Sequence, residues 1–90
     1  MIILSYDIQN DRLRTEFSKF ILQYGRRLQF SVYEINNSKR LLEIIKIEIN
    51  ANFAGKFGQS DSVYIFEVKD NKDIIKFGYP KNEDKNLVIM

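Results

Sequence analysis

An aspartate and a short series of arginines are the side chains in this sequence best suited to chemistry. Asp7 ends the apolar segment IILSYD, and Arg12 and Arg14 follow shortly after it. The 90 residues include no cysteine and no histidine, which excludes disulfides, thiolate nucleophiles, imidazole bases and metals bound by sulfur or imidazole. Catalysis would therefore depend on carboxylates, hydroxyls, lysines or a metal bound by oxygen ligands.

Asp7 is the candidate catalytic and metal-binding residue. A lone aspartate at a strand end is more often a capping or loop residue, and one carboxylate does not hold a divalent ion tightly. A two-fold dimer would change this. If the first strands of two subunits met at the axis, two Asp7 carboxylates would converge on one Mg²⁺ or Mn²⁺, and a bound phosphodiester would complete its ligand shell.

The arginines are concentrated in the first half of the chain. Residues 1–40 contain all five arginines and two lysines against four acidic residues, a net charge of +3, whereas residues 41–90 sum to −1. Arginine is suited to bidentate recognition of phosphate. The first half is therefore the better candidate for contact with a polyanion, although five arginines in 90 residues is also an ordinary number.

Arg12 and Arg14 fall in the predicted first turn of a helix, where cations oppose the helix dipole but where anions also bind. Arg12 has an ordinary structural explanation, because Glu16 lies at i+4. Arg14 has weaker options in Asp11 at i−3 and Ser18 at i+4.

Arg26 and Arg27 begin a second segment of alternating residues, RRLQFSVYEI. Gln29, Ser31 and Tyr33 share one face of this segment. Basic, hydroxyl and aromatic side chains in that order could follow a phosphate backbone, but the same face could be an ordinary exposed or edge face. The sequence has no aromatic RNP signature, GXXG loop or Walker loop, so sequence-specific recognition is not expected.

Hydrophobic periodicity predicts the elements that position these side chains. Gly25 is expected to cap the end of the first helix, Asn10 or Asp11 its start, and a bend near Phe30 could divide the second strand. In the second helix, Ile44, Ile47 and Ala51 form an extra apolar stripe that is either core or a partner surface. The predicted elements are a strand at 2–7, a helix at 11–24, one or two strands at 26–35, a helix at 38–54, a strand at 62–68 and a short strand or turn at 74–77.

This order, β-α-β(β)-α-β, predicts an α+β fold with the ferredoxin-like βαββαβ plan in a single domain spanning residues 1–90. The apolar residues Leu87, Val88, Ile89 and Met90 predict an extra short C-terminal strand at about 86–90. A short apolar strand needs a sheet edge, which could belong to the same chain or to a second copy.

Several segments together resemble a known family. They are SYDI at 5–8, LR at 13–14, GRRLQFSVYE at 25–34, DSVYIFEV at 61–68, FGY at 77–79 and the terminal LVIM. This pattern is similar to the second of the two near-universal CRISPR-associated (Cas) adaptation proteins, the small ferredoxin-like subunit. The resemblance spans almost the whole chain, and its most specific parts are the Tyr-Asp strand end and the Gln-x-Ser-Val-aromatic-Glu strand.

The resemblance implies a homodimer in which each terminal strand extends the partner's sheet, and a complex with the CRISPR integrase that binds duplex DNA by its backbone. It also implies a metal-dependent endonuclease acting on RNA or double-stranded DNA, with Asp7 as the metal ligand. Two positions depart from the family pattern: Glu16 replaces a second basic residue, and Tyr33 stands where Phe is frequent. Besides Asp7, the chain matches the family pattern at Tyr6, Arg14, Arg27 and Ser31.

The sequence is therefore compatible with two functions. The first is a dimeric scaffold that holds duplex DNA for the integrase, with Arg14, Arg26 and Arg27 on phosphates and Arg12 as a further candidate. The second is a Mg²⁺-dependent phosphodiesterase built on paired Asp7 residues. A third interpretation, a ribonuclease toxin of the virulence-associated protein D type, fits the SVYE and FGY segments less well. No signal peptide or membrane span is apparent, which favours a cytoplasmic protein without membrane contact.

Overall fold

The computed structural model describes residues 1–78. The predicted terminal strand at 86–90, with its dimer residues Leu87 to Met90, lies outside the described residues. The elements in chain order are β1 (Ile2–Asp7), α1 (Asp11–Leu22), β2 (Gly25–Gln29), β3 (Val32–Ile35), α2 (Lys39–Asn52) and β4 (Ser62–Glu67), with short 3-10 turns at Ala54–Lys56 and Asn71–Asp73.

The four strands form one antiparallel sheet in the order β2-β3-β1-β4. This order, with a helix after the first strand and another after the third, is the ferredoxin-like arrangement, so the predicted fold class is confirmed. The predicted bend near Phe30 is also confirmed, because the segment at 26–35 divides into β2 and β3 there. Central β1 pairs with both β3 and β4, which places Asp7 opposite Ser62.

The alternation of β1 decides which side of the sheet the helices cover. Ile2, Leu4 and Tyr6 are buried, and the intervening residues point to the other face. The helices contribute aromatic rings to the same core, where the Phe17 ring packs edge-on against Tyr6 at 5.2 Å and against Phe53 at 5.0 Å. Both helices therefore pack on one face of the sheet, as the two-layer plan requires.

The helix α1 begins where the sequence predicted and ends earlier. The Asn10 side chain accepts a hydrogen bond from the backbone N–H of Leu13, so Asn10 is the N-cap. The helix ends at Leu22, and Gln23 closes it in a right-handed conformation. The prediction that Gly25 caps this helix was therefore wrong, because Gly25 is the first residue of β2.

Gly25 is required by a close approach between strands. A Cβ at this position would lie 2.1 Å from the Glu34 carbonyl oxygen and 2.8 Å from the Ile35 Cα. Backbone atoms cannot retreat from such a contact without shifting the strand. The glycine therefore allows β2 to pair with β3 directly after the turn from α1.

The helix α2 uses one of its two apolar stripes for the core. Leu42 and Ile45 are buried, and the following Phe53 is 8% exposed. In the second stripe Ile47 is 65% exposed, and Ala51 is exposed as well. The second stripe is thus not core in the described chain.

Two further predictions concern residues 74–77 and membrane-spanning helices. Residues 74–77 form no strand. Within the described chain, neither helix combines the length and apolarity needed to cross a bilayer.

Candidate functional site

An open cleft of about 600 Å³ lies where β1 ends and α1 begins. The turn between β2 and β3 forms its far wall. The cleft brings together one carboxylate, three cationic side chains, several hydroxyls and three apolar side chains. Its lining residues that carry the argument below are Asp7, Arg14, Ser18, Lys19, Arg27 and Phe30, with Leu22 and Ser31 beside them.

Asp7 is exposed at the end of β1, as the sequence predicted. Its Oδ1 accepts a hydrogen bond from the Gln9 side-chain Nε2 at 2.9 Å. No described ion pair involves it among residues 1–78. Since strand alternation turns it away from the helices, Asp7 borders both the cleft and a smaller hollow on the open sheet face.

Asp61 organises the loop that carries Gln9. Its Oδ1 accepts the Gln9 backbone N–H at 2.9 Å, and its Oδ2 accepts the Gly58 backbone N–H at 2.8 Å. These two hydrogen bonds, that from Gln9 first, hold the pKa of Asp61 below its ordinary value. Asp61 thus connects the loop after β1 to the loop before β4. Gln9, which is part of this connection, also donates a hydrogen bond to Asp7.

Residues 1–78 of one chain do not by themselves supply a metal site. No group of three or more carboxylates with suitable placement occurs within the described part of the chain. Asp61 is close in sequence to the strand opposite Asp7, but both of its oxygens already accept backbone N–H groups. The expected Mg²⁺ or Mn²⁺ would therefore need Asp7 of a second subunit or oxygens of a substrate.

The two arginines at the start of α1 have different surroundings. Arg12 is highly exposed and pairs with Glu16 at 3.4 Å, as the i,i+4 spacing predicted. Arg14 points into the cleft, where its Nη1 donates to the carbonyl oxygens of Ile8 at 3.1 Å and Gln9 at 3.3 Å. Its Nη2 pairs with Asp11. Arg14 is consequently held against the loop that follows Asp7.

Arg27 is anchored by the Tyr33 hydroxyl, which accepts from its Nε at 3.1 Å and its Nη2 at 2.9 Å. The same Nη2 donates to the Ser18 Oγ at 2.7 Å. Tyr33 is 0% exposed, so the suggestion that it lies on an exposed face along a phosphate backbone was wrong. It supports the cleft from within the core by holding Arg27 at the wall.

The tyrosine hydroxyls of this network have opposite pKa shifts. Burial raises the pKa of Tyr6 to about 12, and its hydroxyl lies 3.4 Å from that of Tyr33. Burial acts on Tyr33 in the same direction, but hydrogen bonds from Ser18, Tyr6 and Arg27 and the Arg27 charge outweigh it. The pKa of Tyr33 is therefore lowered, because its neighbours favour the ionised form.

Arg26 lies on the other side of the sheet from Arg27, because successive strand residues face opposite sides. It pairs with Glu34 across β2 and β3 at 3.1 Å. The predicted nucleic-acid residues therefore do not form one surface: Arg14 and Arg27 line the cleft, whereas Arg12 and Arg26 do not. Ser31 does line the cleft, next to Phe30.

Sequence reasoning did not select Gln9, Lys19, Phe30 or Asp61. Neither Lys19 nor Phe30 belongs to a recognisable sequence motif. A signal for the Arg27–Tyr33 pair was present, because Tyr33 shares its strand parity with apolar Ile35, which marks a core face. The link from Asp61 to Gln9 spans 52 residues in the sequence and depends on strand pairing that periodicity does not reveal.

Fold and cleft together define a small ferredoxin-like protein in which one carboxylate and three cationic side chains line one open cleft. A family model described as CRISPR associated protein Cas2 matches residues 1–74. The chain therefore belongs to the CRISPR-associated protein Cas2 family, the family that its sequence resembles.

Two curated relatives have names of the same kind. The CRISPR-associated endoribonuclease Cas2 4 of Rhodospirillum rubrum is 39% identical over 49 residues, which are 54% of this chain and 40% of that protein. The CRISPR-associated endoribonuclease Cas2 2 of Methanospirillum hungatei JF-1 is 25% identical over 67 residues, 74% of this chain and 71% of that protein. The match thus spans less than half the length of the first relative.

Solved structures share the fold. The hypothetical protein TT1823 of Thermus thermophilus superposes with a TM-score of 0.74 at 25% identity, covering 88% of this chain and 90% of that one. Streptococcus pyogenes Cas2 superposes with a TM-score of 0.68 at 20% identity, covering 86% and 98%. The second likeness supports the fold alone.

Proposed function

We propose that this chain is a CRISPR adaptation subunit that binds duplex DNA by its phosphate backbone and works together with the CRISPR integrase. The observation that carries the proposal is the placement of Arg14 and Arg27, two anchored guanidinium groups, in one open cleft. Family membership supplies the biological setting, and the cationic cleft supplies the contact with DNA.

Anchoring matters because a flexible arginine loses rotamer freedom when it binds phosphate. Arg14 is already held by two backbone carbonyls, and Arg27 by the Tyr33 and Ser18 hydroxyls. Less entropy is then lost on binding. Phosphate contacts of this kind fix position without reading sequence, as expected of a protein that accepts DNA of any sequence.

The proposed unit is a homodimer formed through the open sheet face. No described element covers this face, and Tyr64 and Phe66 are 61% and 49% exposed on it. Their rings lie 6.1 Å apart and form a joint apolar surface. A second copy would bury it, and because Asp7 lies on the same face, the two carboxylates would approach each other.

A second activity, metal-dependent hydrolysis of RNA or DNA, is favoured by the exposed Asp7 carboxylate beside the cationic cleft. The two curated relatives are named endoribonucleases, and the proposal extends that activity to this chain. In the dimer, the paired Asp7 residues would hold Mg²⁺ or Mn²⁺, which supplies Lewis-acid stabilisation and an activated water. Arg14 and Arg27 would orient the phosphodiester and balance its charge.

Two substitutions separate these roles. Arg14→Ala removes one phosphate contact, so the slope of log affinity for duplex DNA against log salt concentration should fall by about 0.9. Arg40→Ala is the matched control, because Arg40 is exposed on α2 and does not line the cleft. An unchanged slope for Arg14→Ala, or an equal fall for the control, contradicts binding in this cleft.

Asp7→Asn keeps the shape of the side chain and removes its charge. We expect it to abolish metal-dependent cleavage of RNA and duplex DNA while spacer acquisition with the integrase continues. Cleavage at the wild-type rate would exclude the Asp7 mechanism. Acquisition that disappears together with cleavage would contradict the scaffold role.

A further inference from the structure

Lys19 is the third cation of the cleft, and the phosphate contacts proposed above do not include it. It is exposed on α1 and lines the cleft together with Arg14 and Arg27. Within residues 1–78 its ammonium forms no ion pair, whereas Arg14 pairs with Asp11 and donates to two backbone carbonyls. In the described chain no neighbour balances the Lys19 charge, so this charge acts on any anion that enters the cleft.

Helix geometry places Lys19 and Arg14 at two separate positions of the cleft. Each residue of an α-helix adds about 1.5 Å of rise and about 100° of rotation, so five residues give about 7.5 Å along the axis and about 140° around it. Arg14 is held against the loop after β1 by the carbonyls of Ile8 and Gln9. Ser18, which lies between Arg14 and Lys19 on the helical wheel, also lines the cleft. Lys19 thus lies on the opposite side of this helix face from Arg14.

The ligand that suits two separated cations is an extended polyanion. Duplex DNA carries one negative charge per about 1.7 Å of its axis, so a backbone that crosses the cleft presents several phosphates to this face of α1. Arg14 cannot move to the Lys19 side without losing its two hydrogen bonds to backbone carbonyls. A single phosphate would therefore meet one cation, whereas a continuous backbone meets both.

A position in the last turn of α1 also has an ordinary structural use. A cation such as Lys19 interacts there with the negative end of the helix dipole. That interaction stabilises the helix and does not depend on DNA. Duplex affinity and thermal stability, measured on the same variants, therefore distinguish the two roles.

We propose that Lys19 is a further phosphate-binding residue and that it contacts a different phosphate of the duplex from the one bound by Arg14. The proposal rests on the duplex binding proposed above and adds the residue that fixes the direction of the DNA backbone along α1. Two separated contacts on one helix define a direction, which a single contact does not. Lysine suits this position because its compact point charge binds phosphate without a bidentate geometry.

The test uses Lys19→Gln, which removes the charge and keeps a long polar side chain, with Lys19→Arg, Arg14→Ala and the double variant of Lys19→Gln and Arg14→Ala. Lys39→Gln is the matched control, because Lys39 is an exposed lysine on α2 that does not line the cleft. It changes the net charge by the same amount as Lys19→Gln. Affinity for one duplex DNA is measured by fluorescence anisotropy between about 50 and 200 mM salt. Thermal denaturation checks that each variant folds.

We expect Lys19→Gln to lower the slope of log affinity against log salt concentration by about 0.9, which corresponds to about 8-fold weaker binding at about 0.1 M salt. The double variant should lose about 1.8 in slope and roughly 60-fold in affinity, because contacts to separate phosphates are additive. Lys39→Gln should stay within about twofold of the wild type, since salt screens a charge far from the DNA. Lys19→Arg keeps the charge and should keep the wild-type slope.

The proposal is overturned if Lys19→Gln matches Lys39→Gln in slope and affinity, whether or not it loses thermal stability. It is also overturned if the double variant binds no more weakly than Arg14→Ala alone, because both cations would then act on one phosphate. With Arg14→Ala still lowering the slope, either result leaves duplex binding in the cleft intact. If neither Lys19→Gln nor Arg14→Ala changes the slope, the proposed function fails and the Lys19 contact fails with it.

Discussion

Replacement of Tyr33 by phenylalanine tests the network that holds Arg27 in the cleft. Tyr33→Phe keeps the buried ring and removes the hydroxyl. That oxygen accepts two hydrogen bonds from the Arg27 guanidinium, at 2.9 and 3.1 Å, and shares one of 2.7 Å with the Ser18 hydroxyl. Since Tyr33 is 0% exposed, water does not easily replace the lost partner.

The size of the effect follows from these contacts. A hydrogen bond to a charged group contributes about 1.5–3 kcal/mol, and one between neutral groups about 0.5–1.5 kcal/mol. Ser18 keeps its hydrogen bond from Arg27 at 2.7 Å, so it is not left without a partner. Arg27 is half-buried and also keeps its hydrogen bond to Ser18, so the net loss is closer to one charge-assisted hydrogen bond than to the sum of all three. We therefore expect a loss of about 2 kcal/mol, which lowers the midpoint of thermal unfolding of a domain this small by roughly 8–16 °C.

The assay is thermal and urea unfolding of the wild type, Tyr33→Phe and the control Tyr24→Phe. The Tyr24 ring packs on Phe20 at 5.4 Å, and its hydroxyl makes no hydrogen bond among the described residues. The control should stay within about 0.5 kcal/mol of the wild type. Tyr33→Phe should also weaken binding of duplex DNA, because Arg27 loses its anchor.

The reasoning is refuted if Tyr33→Phe is as stable as Tyr24→Phe. A destabilised variant that binds duplex DNA with unchanged affinity would separate the two claims. It would keep the hydrogen-bond network and reject Arg27 as a preorganised phosphate contact.

Three further predictions address the elements around the cleft. Gly25→Ala should lower the free energy of unfolding, measured in urea, by about 1–3 kcal/mol or more, because its Cβ would lie 2.1 Å from the Glu34 carbonyl oxygen. The control Gly55→Ala should be nearly neutral, because a Cβ at that position would have nothing within 4 Å. Equal effects of the two substitutions would contradict the strand register. Gln9→Ala removes the side-chain amide that donates a hydrogen bond to the Asp7 carboxylate. It should slow metal-dependent cleavage roughly 10-fold without weakening the binding of duplex DNA. An unchanged cleavage rate would show that Gln9 does not position Asp7. The pKa of Asp61 is lower in the folded state, so the stability that its carboxylate contributes is fully present above about pH 3.9 and is lost as the pH falls through the folded pKa. Asp61→Asn should therefore be less stable than the wild type at pH 7 but not in strong acid. A difference in unfolding free energy between the two proteins that stays constant with pH would exclude this linkage.

Periodicity predicted the scaffold of the site because burial alternates regularly in β1 and α1. Ile2, Leu4 and Tyr6 are buried as their spacing indicated, and this alone places Asp7 at an exposed strand end. The i,i+4 pair of Arg12 with Glu16 was equally local and is present. Features that depend on neighbours within one element were therefore accessible from the sequence.

Features that depend on pairing between elements were not accessible in the same way. A register shift between Arg27 and Gln29 breaks the alternation of β2, so Leu28 and Phe30 do not continue the pattern into β3. Gly25 follows a helix, as a C-cap would, but its role is set by the Glu34 carbonyl on another strand. Such contacts arise from the sheet as a whole.

The most direct test of a site shared by two Asp7 residues is an activity measurement on mixed dimers. Wild-type and Asp7→Asn chains are unfolded together, refolded in equal amounts and assayed for Mg²⁺-dependent cleavage at constant total protein. If both carboxylates of a dimer are needed, only wild-type pairs cleave, and activity falls to about one quarter of the wild-type value. A value of about one half, proportional to the fraction of wild-type chains, would show that each Asp7 acts alone and would contradict the shared site.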